Sequence, residues 1–324
     1  MVYYLRVCGQ YALAILAALT INFLLPRLAP GDPLGALLGT DTLDTMSDAA
    51  KEQMRLELGV GGPLTEQFWR YLTGVFTSNF GNSTVLGMPV WDVIMQRLPW
   101  TLLLMGSALI VSTLIGTVLG VLAAWRRGRL SDVLSMTGVL FLGSLPPFWV
   151  AMMLIILFCT TLGWLPSFGA YKLGTSFPDW SWFAGVGQRM ILPVAALAIV
   201  QTASVLLIAR SSMLIAQEQD YITFARSRGV SERSIFFRHA LRNAMLPLYT
   251  HVMLGLGTLI GGSLIVETVF SYPGLGSLVV MAVNSRDYLL LQGIFIFASF
   301  SIILANLVTD LAYPLIDPRT RRGS

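Results

Sequence analysis

From Trp100 to Trp125 the chain reads WTLLLMGSALIVSTLIGTVLGVLAAW, without one charged residue. A run of this length matches the hydrocarbon core of a bilayer, which takes about 20 apolar residues as a helix. Lipid offers the backbone no hydrogen-bond partner, so a spanning segment must close its N–H and C=O groups on itself. Similar apolar runs recur near Val7–Leu25, Val133–Leu162, Met190–Met213, Leu246–Val266 and Leu289–Tyr313. Together they predict an all-α, polytopic membrane protein with about six transmembrane helices. Only 12% of the 324 residues are charged and 55% are hydrophobic, about half the charge fraction of a soluble domain.

Pro146-Pro147 must kink or break the third run, because proline removes an N–H and clashes with the preceding turn. The first run follows Arg6 and resembles a secretory signal, but it is too long for one and is expected to stay as the first helix. Residues 1–26 are thus expected to form the first transmembrane helix, 27–98 an extracytoplasmic subdomain and 99–314 a transmembrane core. Residues 315–324 form a tail. The 27–98 segment holds many of the acidic residues and several Gly, Pro and Asn turn signals. Within it a helix is expected from Ser47 to Leu58, with Ser47 as N-cap and Gly59 past its end. A second outward segment, Gly163–Gln188, is rich in Trp, Phe and Gly.

Six spans place both termini on one side, together with Arg6, the turn Arg126/Arg127/Arg129 and the tail's Arg319, Arg321 and Arg322. The positive-inside rule makes that side cytoplasmic. Arginines beside membrane spans set topology and do not form a groove for nucleic acid.

Catalytic and metal chemistry find no support. Only His239 and His251 are histidines, with no H-E-x-x-H pair, and Cys8 and Cys159 lie inside apolar runs without ligand spacing. Neither lysine, Lys51 or Lys172, follows a glycine, so a phosphate loop of the G-x-x-x-x-G-K-[ST] form is excluded. Any ATP and its Mg would have to be bound by partner subunits. Glycine pairs Gly116/Gly120 and Gly257/Gly261 are spaced for close helix packing, expected within the chain. Glu267 and Asp310 are ionisable groups near span ends, where water is close, and Gln201 lies deep in the fourth run. Each is a candidate for a translocation path or for a structural polar contact.

One internal stretch, Asp220–Pro247 within the cytoplasmic segment 215–246, carries five arginines: Arg226, Arg228, Arg233, Arg238 and Arg242. Asp220–Arg228 and Glu232–Ala244 have the pattern of two short helices. Gly229 stands at the left-handed position between them, and Ser231 suits the next N-cap. Charge explains a cytoplasmic location. It does not call for a glycine corner between matched helices.

DYITFARSRG and HALRNAMLP resemble the cytoplasmic coupling segment (the EAA loop) of ABC importer permeases of the oligopeptide/dipeptide/nickel type, B-type subunit. LAPGDP, ELGVGGPLTEQFWRYL, NFGNS, PVWDVIMQRLPWTL, SLPPFWVAMMLI, ETVFSYPGLGSL, RDYLLLQG and NLVTDLAYPLIDPR extend the resemblance in order over nearly the whole chain. The wider superfamily's Glu-Ala-Ala is Thr223-Phe224-Ala225 here, so only the last alanine and the later glycine are kept.

The resemblance implies the type I ABC importer permease fold in a bacterial plasma (inner) membrane. Its expected partners are a second homologous permease subunit, two cytoplasmic ATP-binding subunits and an extracytoplasmic substrate-binding protein. Tyr221, Ala225, Arg226 and Gly229 would then supply ATPase contact or geometry. Arg233, Arg238, Arg242 and Asn243 would support the second helix. The implied activity is peptide import; nickel or metal-chelate import is the alternative within the family, and a stand-alone secondary transporter the alternative outside it.

Overall fold

The computed structural model describes residues 2–28, 46–57, 61–172, 174–175, 177–259 and 263–316. Among these residues the structure is helical, and no named strand occurs. In chain order the helices are α1 (Val2–Leu28), α2 (Asp48–Glu57), α3 (Leu64–Phe76), α4 (Val90–Trp125), α5 (Leu130–Gly143) and α6 (Pro147–Leu154), which continues as a π-helix over Ile155–Thr161. Then come α7 (Trp180–Gln217), α8 (Asp220–Ser227) and α9 (Glu232–Ser234), continued as a π-helix over Ile235–Ala240. Last are α10 (Leu241–Thr258), α11 (Leu264–Val269), α12 (Leu275–Asn284) and α13 (Tyr288–Ile316). LAPGDP past Leu28, Gly59, Gly261 and the tail arginines lie outside the described residues.

Three helices among the described residues are long and apolar enough to cross a membrane: α4, α7 and α13. The pair α5 plus α6 with its π-turn passes the same test as one span bent by 96°. The apolar part of α1, Gly9–Leu24, is shorter. The 96° bend falls at Ser144–Pro146, where the adjacent prolines were expected to break the run. Pro147 opens α6 at the position where its missing N–H costs nothing.

Two helices outrun their apolar stretches. α4 starts at Val90 and carries Pro99 inside, and α7 starts at Trp180 and carries Pro193. The aromatic segment expected over Gly163–Gln188 is correspondingly shorter, ending at Asp179. Hydropathy marks the part of a helix that suits lipid, whereas backbone hydrogen bonding carries the helix beyond it. Ser47 does sit at the head of α2, its Oγ accepting the Ala50 N–H at 3.3 Å.

The backbone forms two compact units, one of residues 1–99 with 274–304 and the other of residues 100–273 with 305–324. In the first, α3 meets α1 through Phe68 on Phe23 at 5.0 Å between ring centroids, and the Tyr71 hydroxyl donates to the Leu19 carbonyl at 3.1 Å. Asn22 Nδ2 of α1 donates to Ser299 Oγ of α13 at 3.3 Å. Gly293 brings α13 close to the start of α4, since a Cβ there would stand 2.4 Å from Val90 Cγ1.

In the second unit α7 is the central helix. Gly116 and Gly120 of α4 face it, and a Cβ on either would come within 2.6 Å of Val205 Cβ or the Leu206 carbonyl. That close approach is the packing the glycine spacing predicts. A buried cluster joins Leu104 and Ala108 of α4, Val150 of α6, Leu197 of α7, and Val266 and Phe270 of α11 and its end.

Candidate functional site

The segment after α7 turns sharply and folds back onto the helix ends. α8 is closed just past its C-cap Arg228 by Gly229, whose φ is +78°. The Gly229 N–H donates to the Arg226 carbonyl at 3.0 Å and the Val230 N–H to the Ala225 carbonyl at 3.3 Å. This paired arrangement is the Schellman motif, which satisfies the last carbonyls of a helix and asks for a left-handed residue at the corner. Ser231 takes the N-cap position of α9, with extended backbone and no side-chain cap bond.

The second short helix differs from expectation. Glu232–Ala244 does not form a separate helix ahead of the fifth span: α9, the π-turn and α10 run without a break from Glu232 to Thr258, through Pro247. Proline lacks only one donor, and a long apolar helix tolerates that loss. The π-turn over Ile235–Ala240 underwinds the helix, and Ile235, Phe236, Ala240 and Ala244 are all buried. They join Ile222 and Ala225 of α8, Val121 and Ala124 at the end of α4, and Met213 and Ala216 at the end of α7. A short helix is thereby fixed, through one apolar cluster, to the ends of two long apolar helices.

The residues expected to serve coupling divide by environment. Ala225 is buried in that cluster, and Gly229 is the corner. Tyr221 is exposed, and its hydroxyl accepts from Asn243 Nδ2 at 2.7 Å, a tie between α8 and α10. Arg226 grips Glu232 across the corner, Nε to Oε1 at 2.6 Å and Nη2 to Oε2 at 3.2 Å. The hydrogen bond from Arg226 holds the Glu232 carboxyl below its ordinary value, and Glu232 in turn raises the Arg226 guanidinium further. Arg233, Arg238 and Arg242 are exposed along α9, the π-turn and α10. Arg228 lies over the Phe224 ring at 5.7 Å.

The polar candidates lie elsewhere. Gln201 of α7 is half-buried, and its Oε1 accepts from Ser112 Oγ of α4 at 3.3 Å, a contact between neighbouring helices. Glu267 was expected near water, but it is fully buried, with Thr101 Oγ1 donating to its Oε1 at 3.2 Å. α11 is a short helix within the apolar cluster rather than the frayed end of a span, which accounts for the difference. Asp310 lies on α13, and its side chain is outside the described residues.

Two buried polar groupings escaped the sequence reading. Asp132 of α5 accepts from Arg210 Nε and Nη2 of α7, both at 3.0 Å, and from the Gly128 N–H at 3.1 Å. The signal was present, since Arg210 is a cation inside an apolar run, and such groups are rare there. In the first unit, Asp287 is fully buried and stands just ahead of α13. It accepts from Ser83 Oγ at 2.6 Å, from the Val85 N–H at 3.3 Å and from the Leu290 N–H at 3.1 Å. Aspartate before an apolar helix is an N-cap pattern readable from sequence. The partnership with Ser83, 204 residues away, is not.

Aromatic residues gather in the second unit around Trp100, which stacks on Tyr171 at 5.8 Å and meets Trp182 at 5.9 Å and Tyr272 at 6.0 Å. The Gly169 N–H donates to the Phe270 carbonyl at 2.9 Å, fastening the Trp-rich segment to the end of α11.

Comparison with known proteins places this architecture. Residues 116–322 match the family described as binding-protein-dependent transport system inner membrane component, and residues 1–105 match its N-terminal companion. A putative peptide transport system permease protein of Brucella abortus (strain 2308) is 38% identical over 316 residues, covering 98% of this chain and 97% of that one. The glutathione transport system permease protein GsiC of Salmonella paratyphi A is also 38% identical, with the same coverage. The oligopeptide transport system permease protein AppB of Bacillus subtilis (strain 168) is 35% identical over 95% of this chain and 96% of its own. The chain therefore belongs to the binding-protein-dependent transport system inner membrane components, the permease family of ABC importers with the type I fold.

Proposed function

We propose that this chain is the transmembrane permease subunit of an ATP-driven, binding-protein-dependent peptide importer, and that it forms half of an alternating-access path. The observation that carries the coupling role is α8 itself. It is a short helix closed by the Gly229 corner, tied to α10 through Tyr221–Asn243 and joined through one apolar cluster to the ends of α4 and α7. A force on its exposed face reaches two long helices without passing through a flexible loop. A rigid element between two states of a bundle needs that property.

In this reading the side bearing α8 is cytoplasmic, as are both termini, and two ATP-binding subunits supply ATP and Mg. A second permease subunit completes the path. The 27–98 segment and the Trp-rich segment face outward, toward a substrate-binding protein. The peptide assignment is supported by the relatives, whose names specify peptide, oligopeptide or glutathione transport. Tyr221, Arg226 and Phe224 form the docking face, and Arg233, Arg238 and Arg242 hold the second helical stretch.

Reconstitution tests this. The chain, expressed with the permease, ATPase and binding-protein genes beside it, should co-purify with an ATPase in mild detergent. In proteoliposomes it should accumulate a labelled dipeptide or tripeptide only with ATP and the binding protein present. Peptide uptake driven by an ion gradient without an ATPase would point to a stand-alone transporter. Uptake of nickel or its chelates in place of peptide would move the substrate assignment.

A further inference from the structure

A cleft of about 280 Å³ opens where the end of α4, the turn after it, the end of α7 and the coupling element meet. Its lining includes Trp125, Arg129, Gln217, Arg226, Glu232 and Phe236. Donors outnumber acceptors among the side chains of this lining. Glu232 is the one carboxylate in the lining, and each of its oxygens already accepts a bond from Arg226, which offsets its charge. Gln217 Nε2 is shut away from solvent and has no acceptor among the described residues. The Arg129 guanidinium makes no ion pair among the described residues, whereas its neighbour Arg127 is paired with Glu218 at 3.4 Å. Two guanidiniums therefore face one carboxylate, and a buried amide donor is left without an acceptor. A compact anion rich in acceptor oxygens meets all of these demands, and the planar fork of arginine suits phosphate in particular.

The position of Trp125 in the lining indicates where such an anion comes from. Trp125 closes the uncharged run of α4, is 40% exposed, and its ring meets the Phe236 ring edge-on at 4.4 Å. Tryptophan at the end of an apolar span sits at the level of the lipid headgroups. Anionic lipid attracts basic side chains at that level. We infer that this cleft is a phosphate-binding site, filled by the phosphodiester of an anionic phospholipid, with Arg129 as its free cation and the Gln217 amide turning outward to donate the bond it lacks inside. The inference takes from the proposed function only the placement of this end at the cytoplasmic face. Lipid binding is read without transport, so the two fail separately.

Native mass spectrometry of the full chain, alone and assembled with its partner subunits, tests the site against phosphatidylglycerol and phosphatidylcholine. The wild type should retain phosphatidylglycerol in preference to phosphatidylcholine in both forms. Arg129→Gln should weaken that retention by more than about tenfold, because it removes a bidentate charged contact. Arg127→Gln should weaken it by no more than about fivefold, the loss expected from any one basic residue near an anionic surface. Gln217→Leu should weaken it while leaving the charge unchanged. Equal losses in Arg129→Gln and Arg127→Gln would reduce the effect to diffuse attraction and overturn the site. Retention by the isolated chain that vanishes on assembly would make a partner's acidic side chain the occupant and overturn the lipid assignment. A final arm adds inorganic phosphate: lipid that stays bound identifies the phospholipid as the ligand, and displaced lipid identifies free phosphate. Binding of neither would overturn the site altogether.

Discussion

Gly229 offers the sharpest test of the proposed coupling role of α8. Its φ of +78° lies in the left-handed region, and a Cβ built there meets nothing within 4 Å. Any penalty from substitution therefore comes from the backbone alone and not from a clash. For an L-residue that penalty is about 1–2 kcal/mol, with asparagine lower because it tolerates the conformation and a β-branched residue higher. A difference of this size shifts the balance between the intact corner and an opened one by about 5–30-fold. When the corner opens, the Gly229 and Val230 hydrogen bonds to Arg226 and Ala225 are lost, and α8 is no longer held at one angle to α9. The assay is the ratio of peptide uptake to ATP hydrolysis in proteoliposomes carrying the full complex. The ratio should fall in the order Gly, Asn, Ala, Val, with assembly and ATP hydrolysis kept. An Asn variant as uncoupled as Val would show that side-chain contact, not backbone angle, matters at this position. A Val variant coupled like the wild type would remove the corner from the mechanism.

Four further substitutions concern packing, turns and caps elsewhere in the chain. Asp132→Asn leaves Arg210 half-buried without a counter-charge, so thermal stability in detergent should fall by about 3 kcal/mol; adding Arg210→Met should recover part of the loss, and failure to recover would deny the pairing. Gly120→Ala places a methyl group 2.6 Å from the Leu206 carbonyl and should cost about 1–3 kcal/mol in the same measurement. Gly128→Ala, which has open space around it, should act only through its φ of +79°. Asp287→Ala removes the cap of α13 and the partner of Ser83, a loss of about 1–2 kcal/mol. Limited proteolysis should then cut within residues 78–89 faster than in the wild type, while unchanged cleavage would mean that other contacts hold that loop.

Much of this protein was legible without coordinates, for identifiable reasons. Uncharged runs long enough for a bilayer leave the backbone no option but helix, so the all-α membrane class followed directly from Trp100–Trp125 and its counterparts. Pro146-Pro147 announced a break, Gly229 a corner, and Gly116/Gly120 a close helix contact, because each depends on a local backbone property that the residue itself carries. Motif order carried the family. Tertiary structure decided what depends on distant partners. Helix ends past the apolar stretch, at Val90 and Trp180, are set by backbone hydrogen bonds that hydropathy does not measure. The merging of Glu232–Ala244 with the fifth apolar run depends on a π-turn that turns four side chains into one cluster. Glu267 looks wet by position and is dry by packing, while Asp132 finds Arg210 78 residues on. A sequence records which residues cannot meet lipid or hold a left-handed angle; which buried charge finds which partner is decided only when the helices have packed.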